Sequence, residues 1–82
     1  MSVRLEGSVI RIEGEARVED AEALVSLLRD GAGRSVDLTA AGPLHAAVVQ
    51  VLMALRPPLL GPAGDPFTAR WLLPLLAPGP PG

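Results

Sequence analysis

The side chains whose types could do chemistry crowd into one short stretch of this 82-residue chain. Asp37 and Thr39 stand near the end of an apolar run, and His45, the only histidine, follows a small-residue segment. A histidine changes charge near neutral pH and so suits a pH-sensitive contact. A metal would need second and third ligands that a lone histidine lacks. The chain has no cysteine, which removes disulfides, thiolate zinc sites and cysteine nucleophiles together. Asp37 is either a polar site at a strand end or an aspartate closing a local turn on the Thr39 or Ala40 amide. Thr39 either accepts phosphate or closes that turn with its hydroxyl. There is no phosphate-cradling Gly-x-x-x-x-Gly-Lys-Ser loop, no Ser/His/Asp constellation and no carboxylate cluster. The residues therefore point to a protein that is not an enzyme and uses no cofactor or metal.

Charge narrows the partners further. Net charge is −2, and all seven cationic side chains are arginines spread along the chain. No basic run tracks a phosphate backbone, so nucleic acid is not the expected partner. The longest apolar run, residues 46–55, contains Gln50 and falls far short of the ~20 residues that span a bilayer. The first residues lack the apolar core of a signal peptide. No direct membrane insertion and a cytoplasmic location are the expectations. Hydrophobic residues make up 49% of the chain, which indicates a globular domain.

Several elements must position these residues. Val3, Leu5, Ile10 and Ile12 alternate with charged residues, as half-buried strands do. Glu6-Gly7-Ser8-Val9 can close a two-residue type II′ hairpin. That register puts Val3 opposite Ile12, Leu5 opposite Ile10 and Arg4 opposite Arg11, with Glu6 and Glu13 near enough to offset the like charges. Helix signals begin at Val18: Glu19, Asp20 and Glu22 load the first turn, Arg29 the last, and Gly31 and Gly33 stop it. Val18, Ala21, Leu24, Val25 and Leu28 make its buried stripe. A strand over 36–38 follows, parallel to 9–12 through a right-handed crossover. Residues 39–43 read as a loop, and the next helix starts near Leu44 and ends before Pro57-Pro58. That helix is apolar almost all round, which suits a domain centre or a partner. A very short strand at 59–61, a Gly61-Pro-Ala-Gly turn and a helix capped by Asp65-Pro66 complete the chain. Phe67 and Trp71 are expected to fill the core beneath the sheet, and Pro74 to bend the last helix. Residues 1–76 then form one domain, with a Pro/Gly-rich disordered tail at 77–82.

The order strand–strand–helix–strand–helix–strand–helix resembles the STAS domain of anti-sigma-factor antagonists and sulfate-transporter tails. The family writes a strand ending in Asp-Leu-Ser, five loop residues, then Asp-Ser-Ser-Gly opening a helix. Here Asp37-Leu38-Thr39 is followed by Ala40 to Leu44 and then His45-Ala46-Ala47-Val48, without a gap. The resemblance implies an α/β fold with a mixed sheet of about four strands and about three helices packed on one side. It also implies a protein-interaction role in signalling. In the family's antagonists a serine of Asp-Ser-Ser is phosphorylated to switch binding off. Ala46 and Ala47 hold the matching positions and carry no hydroxyl, so the serine switch is lost.

The expectation is a docking module whose contact residues are Gly42, Leu44, His45, Val49, Met53 and Arg56, with Asp37 and Thr39 as a polar site at the strand end. Positions 45, 49, 53 and 56 fall on one helical stripe. The expected partner is a protein: a regulator, a kinase-like protein or a transporter ATPase. Alternatives are an ABC-type transport subunit, a self-associating scaffold that pairs as a homodimer, and a small nucleotide-binding domain.

Overall fold

The computed structural model describes residues 3–76. The tail expected to be disordered lies outside the described residues. Strands β1 (Val3–Glu6) and β2 (Val9–Ile12) form the expected antiparallel hairpin, with Val3 paired to Ile12, Arg4 to Arg11 and Leu5 to Ile10. Gly7 turns it at φ 62°, which a residue without a Cβ adopts freely. Helix α1 (Val18–Asp30) crosses over to β4 (Ser35–Asp37), and β4 lies parallel to β2. Helix α2 (Ala46–Leu55) leads to β6 (Leu59–Leu60), parallel to β4. The main sheet is mixed and four-stranded, in the order β1-β2-β4-β6.

This pairing divides the sheet into two chemically distinct faces. Val3, Ile10, Ile12 and Val36 are buried beside Ala21 and Leu24 of α1, Val48 and Leu52 of α2, and Leu76. All the helices therefore share one side. The opposite face carries the cross-strand row Arg4, Arg11, Asp37 and Leu60. There Glu6 bridges both arginines, Glu13 meets Arg4 at 3.3 Å and Asp37 meets Arg11 at 3.4 Å. The like-charge pair at the hairpin is thus neutralised by its diagonal neighbours.

Three expectations need correction. Residues 39–43 are not simply a loop leading to a helix at Leu44: Ala41–Leu44 form β5, which pairs in parallel with β3 (Gly14–Ala16) as a second, two-stranded sheet, and α2 starts at Ala46. Neither segment alternates, and Pro43 has no N–H to give to a ladder. In a two-stranded ribbon each strand keeps an open edge, where a missing N–H breaks no ladder. A Cβ at Gly42 would stand 3.4 Å from the Gly14 carbonyl carbon, an ordinary contact, so the ribbon has room for a side chain there. Val18, expected in the buried stripe of α1, is 51% exposed, and Leu27 packs against the core instead.

The third correction is the last helix. Phe67 and Trp71 are 62% and 58% exposed and do not fill the core. Thr68 and Leu76 are buried, with Leu72 and Leu73 packed against the core. Asp65 sets this phase. Its Oδ2 accepts from both the Thr68 amide and the Thr68 hydroxyl at 2.9 Å, which turns Thr68 inward. Leu72 and Leu76 then follow on the same face. Pro74 sits in α3 (Leu73–Leu76), directly after a π-helical turn over Thr68–Leu72 in which the Leu73 amide donates to the Thr68 carbonyl. Widening by one residue is how a helix accommodates a missing donor and a bulky ring.

Candidate functional site

Asp37 and Thr39 form a closed local unit at the carboxyl end of β4. The Thr39 amide and hydroxyl donate to Asp37 Oδ1 at 2.8 and 2.7 Å. The Thr39 hydroxyl, then its amide, hold the Asp37 carboxyl below the usual carboxylate range, against a raising effect of burial and with a smaller push from Arg11. This is the turn-closing arrangement, and it leaves Asp37 as a satisfied anion. The loop after β6 clasps the same turn. The Gly64 amide donates to the Leu38 carbonyl at 3.1 Å, and a Cβ at Gly64 would collide with the Thr39 carbonyl oxygen.

His45 is held by the second ribbon. Its backbone amide donates to the Ala16 carbonyl at 2.9 Å, and its Nδ1 accepts from the Ala47 amide at 3.0 Å. It therefore caps α2, and this hydrogen bond requires an unprotonated Nδ1. Its imidazole borders a shallow depression shared with Glu15, Arg17, Pro43 and Leu44. Ala46 is exposed and Ala47 half-buried in the first turn of the helix.

The expected contact residues divide. His45 and Met53 are exposed, whereas Gly42 and Leu44 are half-buried in β5 and Val49 packs against the core. Arg56 lies outside the helix: it is the left-handed C-cap, at φ 45°, and its guanidinium donates to the Leu75 carbonyl at 3.2 Å. The stripe through 45, 49 and 53 thus ends at Met53. Gln50 is exposed. Helix α2 is not buried all round; Val48 and Leu52 face the core, and Met53, Ala54 and Leu55 do not.

The structure adds a surface whose two aromatics were expected in the core. Phe67, Trp71 and Leu75, the last 57% exposed, stand on the solvent side of the C-terminal helix, and the Arg70 guanidinium lies 5.3 Å from the Trp71 ring centre. The four-residue spacing that marks them as a stripe was visible in sequence; Thr68, Leu72 and Leu76 make an equally good one. Among the described residues no group of three His, Cys, Asp or Glu side chains could hold a metal ion, and no helix is long and apolar enough to cross a membrane. Comparison with family models, curated proteins and solved structures finds no match to this chain.

Proposed function

We propose that this chain is a non-catalytic protein-interaction module of the STAS type, working in the cytoplasm without a serine switch. The observation that carries the interaction role is the exposure of Phe67, Trp71 and Leu75. At about 150–250 Å² per aromatic side chain, the two rings alone leave roughly 250 Å² in water. With Leu75 added, the patch approaches the largest apolar patch of a typical monomer, roughly 300–600 Å², which is often functional. An aromatic flanked by arginine is also the composition favoured at interface centres. Met53 and His45, both exposed, are the candidate contacts on α2. Support for the STAS type is the order of elements in the main sheet, β1-β2-α1-β4-α2-β6-α3, together with Asp37-Leu38-Thr39 at the strand end. Ala46 and Ala47 at the serine positions make docking constitutive.

Affinity capture from cell extract followed by mass spectrometry tests this reading, run in parallel on the native chain, Trp71→Ser and Met53→Glu. The expected result is a regulatory protein recovered by the native chain and lost from Trp71→Ser, with all three chains folded by circular dichroism. An identical recovered set from native and variant chains overturns it. The same exposed stripe favours self-association as a second reading. A mass that rises with concentration for the native chain and not for Trp71→Ser would identify a homodimer.

A further inference from the structure

The arginines of this chain fall into two groups. Arg4, Arg11 and Arg17 pair with carboxylates, and Arg70 lies over Trp71. Arg29, Arg34 and Arg56 have no carboxylate within ion-pair distance among the described residues, and all three line one open cleft of about 250 Å³. The cleft lies between the loop after α1 and the turn after α2, at the edge where β4 and β6 begin. It is thus at the opposite end of these strands from the Asp37–Thr39 corner, and nothing in it rests on the docking role. Leu55, Pro57 and Pro58 supply its apolar wall.

Capping of helix ends accounts for only part of this cluster. Arg34 donates to the Leu27 carbonyl at 2.7 Å and Arg56 to the Leu75 carbonyl. Each guanidinium has five N–H donors, so most remain available. The carboxyl ends of α1 and α2 contribute about half a negative charge each, against three positive charges. Asp30 is not among the groups that line the cleft. Arg56 is moreover the one non-glycine residue with positive φ among the described residues. Glycine is usual at this helix-end position. The Arg56 side chain thus stands at a backbone position that costs any residue with a Cβ, which holds its guanidinium at the end of α2.

We propose that this cleft binds a small phosphomonoester, its phosphate held by Arg29, Arg34 and Arg56 and its organic part against Leu55, Pro57 and Pro58. About two net positive charges remain after the helix ends are counted, and a phosphomonoester carries roughly −1.5 to −2 at pH 7. A monocarboxylate neutralises half of that. Guanidinium forks also match phosphate oxygens in geometry.

The test is a heteronuclear NMR titration of the full chain with phenyl phosphate, inorganic phosphate and acetate at constant ionic strength. Saturable shifts are expected at the amides of Gly31, Gly33 and Arg34, tighter for phenyl phosphate than for inorganic phosphate and absent for acetate. Arg29→Gln, which removes no hydrogen bond of the fold, and Arg56→Gly, which relaxes the backbone, should each weaken phenyl phosphate binding about tenfold or more. The proposal is overturned by non-saturating shifts, by acetate or inorganic phosphate matching phenyl phosphate, or by native affinity in both variants.

Discussion

Adjacent leucines at the end of the chain give the sharpest check on how the last helix packs. Leu76 is 1% exposed within the core, whereas Leu75 is 57% exposed. Full burial of a leucine side chain contributes about 1.5–3 kcal/mol, so Leu75, less than half buried, contributes roughly 0.6–1.3 kcal/mol by area. Its replacement by alanine leaves no cavity, since water already reaches the site, and alanine is the better helix former. Leu75→Ala should therefore cost less than about 1 kcal/mol. Leu76→Ala loses the whole transfer term and leaves a hole among Val48, Leu52 and their neighbours. Comparable core truncations cost about 2.7–5 kcal/mol. For a chain of this length total stability is of order 4–12 kcal/mol, so Leu76→Ala removes a large fraction of it. Urea unfolding followed by far-ultraviolet circular dichroism measures both on one scale, and the two midpoints should separate clearly. Equal midpoints, or a larger loss for Leu75→Ala, would falsify the helix phase described here and return Phe67 and Trp71 to the interior.

Three further outcomes follow from single contacts. Gly64→Ala should cost roughly 1–3 kcal/mol, because its Cβ meets the Thr39 carbonyl rather than a movable side chain; denaturant unfolding should show it to be costlier than Gly42→Ala, whose Cβ would make only ordinary contact at 3.4 Å. Asp37 is held below its ordinary pKa by Thr39, so its stabilisation is present above the unfolded value near pH 4 and lost as pH falls through the lower folded value. Asp37→Asn should therefore destabilise by about 1–2 kcal/mol at pH 7 and flatten the fall in stability below pH 4; a parallel pH profile for native and variant chains would contradict this. The first turn of α2 holds no acidic residue, and His45 is a weak capping type. His45→Asp should raise stability by about 0.5–1 kcal/mol, read as a higher melting temperature, and a lower one would show that the imidazole does more than cap.

Local signals were enough wherever one pattern had no competitor. The β1–β2 register was readable because a two-residue turn with Gly7 allows one pairing that keeps Val3, Ile10 and Ile12 together. The parallel pairing of β2 with β4 followed from a strand, a helix and a strand in that order. The Asp37–Thr39 turn is a bond between near neighbours, so it needs no tertiary partner. The β3–β5 ribbon was illegible for the opposite reason. Gly14-Glu15-Ala16 and Ala41-Gly42-Pro43-Leu44 carry no periodicity, and each becomes a strand only because the other is brought alongside. The three-arginine cleft was equally hidden, since Arg29, Arg34 and Arg56 sit on separate segments with no spacing rule between them.

Sequence alone determined the β1–β2 hairpin and the parallel helical crossover from β2 to β4. Those features rest on alternation, helical spacing and residue identity, which are properties of short stretches. Tertiary structure alone decided which stripe of the last helix is buried. Phe67, Trp71 and Leu75 compete with Thr68, Leu72 and Leu76 at similar spacing. The Asp65 cap on Thr68 is a local bond, but the choice was completed by the fit of Leu76 beside the core, a contact that exists only once the sheet and α2 are in place.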